Sequence, residues 1–326
     1  MARRRPEESD IRIRPAKSTR RRSKDRPSHS DSIPAQVITV DRGRTLCRIA
    51  SGQLVSAMKA RELGKNSVVV GDLVNIVGDV SGDTGSLARI VAVQPRRNSL
   101  SRTIDDAGAF EKTIAANLDQ MIIVAASADP SPRQGFIDRC LAVAFDQGIK
   151  PIIVMSKADL ADPDEFLSAY RDLEVEYLKL KRGDDLTQLH KILEAKVSVL
   201  IGHSGVGKST LVNALLGIVK RDTGDVNLTT GRGRHTSSSA ISFELPNGGW
   251  IIDTPGVRSF GLEHIDKSRV IASFTEFESV IASCPKNCSH DEATCALNNY
   301  VKASPQASSR LASLQRLLDS SSQEII

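Results

Sequence analysis

The sequence predicts an α/β fold for the middle of the chain, flanked by a small β-module and a short cysteine-containing module. Between residues 120 and 216, apolar runs of strand length alternate with stretches of helical period. Short apolar runs broken by glycines fill residues 35–93, and three cysteines cluster with a histidine near residue 290. Strands that alternate with helices imply a mainly parallel sheet covered on both faces.

Length and composition limit the possible classes of protein. A chain of 326 residues exceeds one typical domain and suggests two or three. Its 40% hydrophobic and 25% charged residues are ordinary for a soluble globular protein. We find no apolar run long enough to span a bilayer, and the arginine-rich start lacks the apolar segment of a signal peptide. These features predict a cytoplasmic protein with no membrane partner.

Positive charge is concentrated at the start of the chain. The net charge is +5, yet residues 1–26 hold eleven Lys or Arg against four acids, which leaves 33 basic and 35 acidic residues elsewhere. A segment so poor in apolar residues cannot bury a core, so residues 1–33 are predicted to be a disordered basic tail. Counterion release would let such a tail tether the protein to nucleic acid. The alternative is a solvated tail that only aids solubility.

Residues 34–98 are predicted to form a closed β-barrel, with an OB-fold favoured. The predicted strands are Gln36–Val40, Thr45–Ile49, Val68–Val70, Leu73–Val77 and Ala88–Val93. The usual ligand of an OB-fold is an oligonucleotide. Aromatic residues for base stacking are missing here, so a structural module that binds nothing stays the alternative. The polar segment 95–98 is predicted to be a hinge.

A phosphate-binding loop is predicted at residues 202–209. Gly-His-Ser-Gly-Val-Gly-Lys-Ser fits the pattern G-x-x-x-x-G-K-[ST] between an apolar strand, residues 197–201, and a helix. Its glycines let successive N–H groups converge on a phosphate, while Lys208 adds a mobile cation and Ser209 offers a hydroxyl to magnesium. We expect His203 to be an exposed, variable position. The predicted nucleotide-binding residues here are Gly202, His203, Ser204, Gly205, Val206, Gly207, Lys208, Ser209 and Thr210.

A base-reading element is predicted upstream of this loop. Residues 121–126 and 151–155 are apolar strands with an amphipathic helix, residues 136–145, between them. The second strand ends in Ser156-Lys157-Ala158-Asp159, which corresponds to the [NT]-K-x-D element of P-loop GTPases. There the aspartate accepts two hydrogen bonds from guanine and the lysine packs over the base. Adenine offers no such donor pair, so Asp159 is predicted to select guanine.

Two switch elements are predicted downstream of the loop. Residues 253–256, Asp-Thr-Pro-Gly, match D-x-x-G, with Asp253 reaching magnesium through water and the Gly256 N–H near the γ-phosphate. The glycine-rich segment 231–238 is predicted to be the first switch, with Thr236 as a magnesium ligand. Because the base-reading element precedes the phosphate loop, the order of a usual GTPase is circularly permuted.

This order of motifs, with a β-barrel before and a Cys/His cluster after, resembles the RsgA family (also called YjeQ or EngC), over about residues 35–300. The family consists of circularly permuted GTPases of small-ribosomal-subunit assembly. The resemblance implies an OB-fold at residues 34–98, a circularly permuted P-loop GTPase domain at 99–265 and a C-terminal helical zinc-binding domain at 266–326. It also implies docking on the small (30S) subunit and its 16S rRNA as a monomer. GTP hydrolysis to GDP, stimulated by the subunit, would be coupled to late maturation and release.

Two positions depart from the family pattern. Ser156 stands where the family has asparagine, and residues 178–183 lack the Ser-Ala pair that usually contacts the guanine O6. Weaker contacts to the base are therefore expected, although neither change removes Asp159.

Hydrolysis requires a water molecule in line with the γ-phosphate. Many GTPases place glutamine just after D-x-x-G, but this chain has Val257, which cannot orient water. Resemblance to the family's G-x-H-T element assigns that role to His235, the alternatives being a partner or a merely surface-exposed histidine. Slow intrinsic turnover and strong activation by a partner are expected. The predicted catalytic residues are Lys208, His235, Thr236, Asp253 and Gly256.

A structural zinc site is predicted near the C-terminus. The pattern C-x3-C-x-H-x4-C supplies three thiolates and one imidazole, which fill a tetrahedral zinc site and leave no position for water. Disulfides are unattractive in a cytosolic chain. Residues 311–318 have helical spacing and are expected to pack on this zinc module. The predicted zinc ligands are Cys284, Cys288, His290 and Cys295.

Two other classes of function remain open at this stage. The chain is a P-loop ATPase or kinase if the Ser156–Asp159 element is accidental. It is an RNA-binding module if the barrel, tail and zinc site bind RNA and the nucleotide has only a structural role.

Overall fold

The computed structural model describes residues 29–41, 43–64, 67–104, 110–173, 175–217, 240–254, 265–286, 288–290 and 292–320. Within these ranges the strands form one eleven-stranded sheet and one two-stranded sheet. Five strands of the large sheet come from the N-terminal module, and six come from the middle of the chain.

The N-terminal module is the predicted closed, OB-like barrel. Its strands run in the order β1-β2-β3-β5-β4, and β1 also pairs with β4, which closes the barrel. Alternate residues point inward, so that Val37, Val55, Ile76 and Ile90 share one buried cluster. The strands are β1 (Ile33–Asp41), β2 (Arg44–Ile49), β3 (Leu54–Lys59), β4 (Leu73–Gly78) and β5 (Ala88–Val93).

One predicted barrel strand was wrong and one real strand was missed. Val68–Val70 is a buried loop in which only Val70 forms an isolated bridge, to Ala115. The Asp72 carboxylate accepts the Val69 N–H at 2.8 Å, so this backbone is satisfied by a side chain instead of a strand partner. The missed strand, β3, has alanine and serine at its centre, which gives it a weak apolar signal.

The segment 95–98 is a fixed connection and not the predicted hinge. Arg96 binds both carboxylate oxygens of the fully buried Asp72, at 2.7 and 2.9 Å. Arg97 contacts Asp119 at 2.9 Å, and Asn98 donates to Leu118 O at 2.8 Å. Bidentate arginine–carboxylate pairs fix orientation as well as distance, so these contacts hold the barrel against the middle of the chain.

The middle of the chain forms the predicted parallel sheet. Strands β10, β9, β8, β11 and β13 are parallel neighbours in that order, so their carboxyl ends share one edge. Successive residues of β8 point alternately into two buried clusters, which shows that both faces are covered. The strands are β6 (Ser99–Ile104), β7 (Phe110–Ala116), β8 (Gln120–Ala126), β9 (Lys150–Ser156), β10 (Glu176–Lys179), β11 (Val197–Ile201), β12 (Ile241–Glu244) and β13 (Trp250–Asp253).

Strand β12 joins this parallel sheet to the barrel. It pairs antiparallel with β13 on one side and with β1 on the other. Strands β6 and β7 form the separate antiparallel hairpin. The GTPase-like sheet and the barrel are therefore continuous across β12.

Helices cover the sheet and form the C-terminal part of the chain. They are α1 (Gln134–Asp146), α2 (Asp164–Ser168), α3 (Thr187–Leu193), α4 (Lys208–Leu215), α5 (Lys267–Ala272), α6 (Glu278–Ile281), α7 (Ala296–Ala303) and α8 (Ser308–Ser320). In the described part of the chain, no helix combines the length and apolar character needed to cross a bilayer.

Helix α8 packs more widely than the sequence suggested. Its apolar residues Leu311, Leu314 and Leu317 share a buried cluster with α1, not only with the cysteine-containing segment. Arg316 of α8 also lies 3.0 Å from the buried Asp138 of α1. The helix therefore joins the C-terminal segment to the central sheet.

Candidate nucleotide and metal sites

The predicted phosphate loop connects β11 to α4 at the shared carboxyl edge of the sheet. Gly202 passes so close to β8 that a Cβ there would lie 2.3 Å from Val124 O. Gly207, which caps α4, has a φ of +92°, a conformation that favours glycine. Both glycines are therefore needed for the curve of the loop, which directs backbone N–H groups toward an anion.

Lys208 is held within its own loop. Its ammonium donates to Gly202 O, and to His203 O at 2.8 Å. Burial lowers the pKa of Lys208, while the nearby Asp253 opposes that shift. A phosphate would offer this ammonium a fully charged partner in place of two neutral carbonyls.

Ser156 links the base-reading element directly to the phosphate loop. Its hydroxyl donates to Val206 O at 2.6 Å, although 50 residues separate the two in sequence. A Cβ on Gly207 would lie 3.8 Å from the same hydroxyl. The ends of β9 and β11 are therefore joined across the end of β8, which lies between them in the sheet.

The two other base-reading residues occupy the same edge. Lys157 donates to Asp129 O in the loop after β8. The exposed Asp159 accepts the Arg182 N–H at 3.3 Å through Oδ1. Backbone bonds from Leu180 N to Met155 O at 2.8 Å and from Ala158 N to Leu180 O at 3.1 Å hold residues 178–183 beside the element. The segment that lacks a Ser-Ala pair thus has the expected location.

Oxygen ligands suited to magnesium lie near the phosphate loop. Ser209 is exposed in the first turn of α4, and Asp253 ends the neighbouring strand β13. Burial raises the pKa of the Asp253 carboxyl, while Lys208 opposes the rise. The Thr254 hydroxyl donates to Leu200 O at 3.1 Å and fixes the chain just after Asp253. A hydroxyl and a carboxylate are hard ligands that fit Mg²⁺.

His203 is half-buried, so the prediction that it is exposed was wrong. Its ring packs on Phe136 of α1 with the ring centroids 4.1 Å apart, and its Nε2 is buried without a hydrogen-bond partner among the described residues. Burial lowers the pKa of His203, and the charges of Arg133, Lys208 and Arg139 lower it further. The imidazole is therefore neutral near pH 7.

The remaining predicted residues of the site have mixed outcomes. Val206 is buried, whereas Ser204 and Thr210 are exposed on the loop and helix. Three predicted catalytic residues lie outside the described residues, as do the segment 231–238 and most of the basic tail. Those three residues are His235, Thr236 and Gly256.

The four predicted zinc ligands form one cluster. Cys284 Sγ lies 3.8 Å from both Cys295 Sγ and His290 Nδ1, and Cys295 Sγ lies 3.7 Å from His290 Nδ1. All four ligand atoms, including that of Cys288, lie within 4.8 Å of one another. A tetrahedral ion with Zn–S bonds of about 2.3 Å places its ligands about 3.8 Å apart. The cluster therefore fits zinc in both chemistry and size.

Comparison with known proteins identifies the family. The model of the RsgA GTPase family matches residues 93–263, just over half of the chain. The chain belongs to the RsgA GTPase family. A relative from Ectopseudomonas mendocina, named small ribosomal subunit biogenesis GTPase RsgA, is 40% identical over 241 residues, which cover 71% of this chain and 69% of the relative. The RsgA of Shewanella oneidensis is 39% identical over 266 residues, which cover 78% of this chain and 74% of that relative.

Solved structures support the same fold. YjeQ from Thermotoga maritima matches with a TM-score of 0.64 at 24% identity, covering 90% of this chain and all of that one. YloQ, described as a circularly permuted GTPase, matches with a TM-score of 0.63 at 19% identity, and the match covers 93% of this chain and 100% of YloQ. The circularly permuted fold is thus confirmed, and membership of the RsgA family makes the chain a GTP-hydrolysing enzyme.

Sequence reasoning missed several neighbours of the nucleotide site in this RsgA family member. Phe136 was predicted only as an apolar residue of a helix, and the backbone of Arg182 had no predicted role. Both contacts join segments far apart in sequence, so no local pattern indicated them.

Proposed function

We propose that this enzyme binds the small ribosomal subunit, that the subunit stimulates its slow GTP hydrolysis, and that hydrolysis accompanies late subunit maturation and release of the enzyme. The relatives' shared name, small ribosomal subunit biogenesis GTPase, supports the choice of partner. The bond from Ser156 to Val206 O supports a single nucleotide site, because it brings the base reader and the phosphate loop together.

In this proposal the guanine base and the phosphates of GTP bind at different places along the carboxyl edge of one sheet. The loop 202–209 holds the phosphates through its N–H groups and Lys208. Asp159 accepts the two guanine donors, and Lys157 packs over the base. Ser209, Thr236 and Asp253 would hold Mg²⁺, which would supply positive charge to the phosphates.

The chemical step is attack of a water oxygen on the γ-phosphorus. The bond from that phosphorus to the β–γ bridging oxygen breaks, which yields GDP and phosphate. We assign orientation of the water to His235 and contact with the γ-phosphate to the Gly256 N–H. Since Val257 cannot orient water, turnover without the subunit is expected to be slow.

The flanking modules are proposed to bind the subunit. The OB-like barrel and the basic tail would contact 16S rRNA, because basic segments gain affinity for RNA through counterion release. A zinc ion held by Cys284, Cys288, His290 and Cys295 would stabilise the C-terminal segment and have no catalytic role, since all four positions are filled by protein. The enzyme is expected to act as a monomer.

The test is steady-state hydrolysis of GTP and ATP, with and without purified small subunits. We expect little hydrolysis by the enzyme alone, at least about tenfold stimulation by subunits, and no hydrolysis of ATP. Lys208→Ala should reduce the stimulated rate at least about 100-fold, because a charge stabilising the transition state is lost. Asp159→Asn should shift binding from guanine to xanthine nucleotides.

Two outcomes would contradict the proposal in different ways. Equal hydrolysis with and without subunits would reject the proposed activation by the partner. Equal binding of ATP and GTP would reject Asp159 as the base reader and leave the phosphate loop assignment intact.

A further inference from the structure

The hairpin formed by β12 and β13 connects the two predicted switches. Strand β12 follows the segment 231–238 in sequence, and β13 ends at Asp253. The outer edge of β12 is covered by β1 of the barrel. Because β12 is only four residues long, its pairing with β1 through Ile241 and Thr39 adds to the support that β13 gives it.

One row of paired residues runs from the barrel to the phosphate loop. Ile241 pairs with Thr39 of the barrel on one side and with Asp253 on the other. Asp253 in turn pairs with Leu200, two residues before the phosphate loop begins. Asp253 therefore lies on the second strand from the barrel edge, with only β12 between them.

At its other end the hairpin is held by Arg48 of β2. The Arg48 guanidinium lies 3.0 Å from Glu244 Oε1 and 5.3 Å from the centroid of the Trp250 ring. Glu244 and Trp250 are themselves a cross-strand pair. An exposed ion pair alone contributes little to stability, but stacking of the guanidinium on the nearly buried Trp250 ring adds to it. Arg48 thus holds both strands of the hairpin together.

We propose that Arg48 is a positioning residue for GTP hydrolysis, which from the barrel keeps the β12–β13 hairpin, and with it Asp253, in place beside Lys208. This inference rests on the proposed role of Asp253. Arg48 itself lies outside the buried barrel cluster, which contains its neighbour Cys47. Loss of the guanidinium should therefore affect the hairpin without unfolding the barrel.

The test is the Arg48→Met variant, which keeps the apolar stem and removes the guanidinium. We expect kcat for GTP to fall about 3- to 10-fold, the effect of roughly 1 kcal/mol lost at the transition state. KM should stay within about twofold, because the phosphate loop and the base reader are untouched. Arg48→Lys, which keeps the charge facing Glu244, should recover part of kcat.

A matched control is Lys150→Met. Lys150 also forms an exposed cross-strand ion pair, to Glu176 at 2.9 Å, but on the far side of the sheet from the hairpin. Its kcat should remain within about twofold of the unmodified enzyme. If Arg48→Met lowers the melting temperature more than Lys150→Met does, Glu244→Gln is used as the test variant instead. Glu244→Gln must then lower kcat in the same way.

Three results would overturn the proposal. The first is an unchanged kcat in Arg48→Met, and the second is an unchanged kcat in Glu244→Gln where that variant is used instead. The third is a loss of kcat in the Lys150→Met control as large as that in Arg48→Met. Asp253→Asn separates this inference from the proposed site. If Asp253→Asn hydrolyses GTP normally while Arg48→Met is slow, the role given to Asp253 fails and Arg48 acts through another part of the hairpin.

Discussion

The phosphate loop and the Cys/His cluster are both ligand sites, but they obtain their shape in different ways. The loop lies between a buried strand and a helix, and its backbone accepts hydrogen bonds from Ser156 and from its own Lys208. The described residues between 283 and 294 contain turns and bends but neither helix nor strand. Turn hydrogen bonds such as Cys288 N to Pro285 O at 3.2 Å hold this segment, and the four ligand atoms lie within 4.8 Å of one another.

This difference indicates which ligand each site needs in order to fold. Contacts within the protein hold the phosphate loop, so we expect its shape to depend little on the nucleotide. The described Cys/His segment has turn hydrogen bonds but no helix or strand of its own, so we expect a bound metal to supply much of its stability. Loss of zinc should therefore change structure, whereas changes at the loop should alter binding and leave the fold intact.

The largest expected effect comes from removing the metal. Cys288→Ala should reduce bound zinc from one to none per chain, because structural zinc sites lose most of their affinity when one thiolate is lost. The C-terminal segment should then lose protection in hydrogen exchange, while GDP binding stays within about threefold. Zinc content by atomic emission and exchange by mass spectrometry are the measurements.

Cys47→Ala is the matched control for that experiment. Cys47 is a buried free cysteine of the barrel and lies outside the cluster. This variant should keep one zinc and unchanged exchange near the C-terminus. If Cys288→Ala kept that protection without metal, the comparison between the two sites would fail.

A smaller effect is expected from Ser156→Ala. The substitution leaves Val206 O without its donor at 2.6 Å and loosens the phosphate loop. Losing such a hydrogen bond costs about 0.5–1.5 kcal/mol, so GDP affinity should fall about 2- to 10-fold with little change in melting temperature. Ser156→Thr keeps the hydroxyl and should bind GDP normally. Equal affinity in the alanine variant would show that the loop keeps its shape without this bond.

Both sites were predicted from short sequence motifs, because the spacing of the residues within such a motif largely determines where they lie in space. Four ligands within twelve residues, or a glycine-rich loop between strand and helix, leave little for distant packing to decide. The failures involve contacts between distant segments. Val68–Val70 resembled a strand but has its backbone bound by Asp72, and the ring of His203 meets Phe136 across the site. Such contacts depend on the tertiary fold, which local patterns do not encode.

The smallest expected effect concerns pH and His203. Because burial and three neighbouring cations lower its pKa in the folded protein, the unfolded chain binds a proton more readily below about pH 6.5. Stability from the neutral imidazole is thus present above that pH and is lost as pH falls toward the folded pKa. His203→Gln, which does not titrate, should lose less melting temperature than the unmodified protein between pH 7.5 and about 5.5.

Bound nucleotide should reduce this difference. Its phosphates bring negative charge close to Lys208 and His203, which offsets the repulsion from the three cations and makes a protonated imidazole less costly. An effect of less than about 1 kcal/mol shifts the melting temperature of a chain this size by at most about 2–4 °C, so the two proteins must be compared in the same buffers with and without Mg–GDP. Identical pH profiles for both proteins would mean that the His203 ring packs on Phe136 without sensing charge.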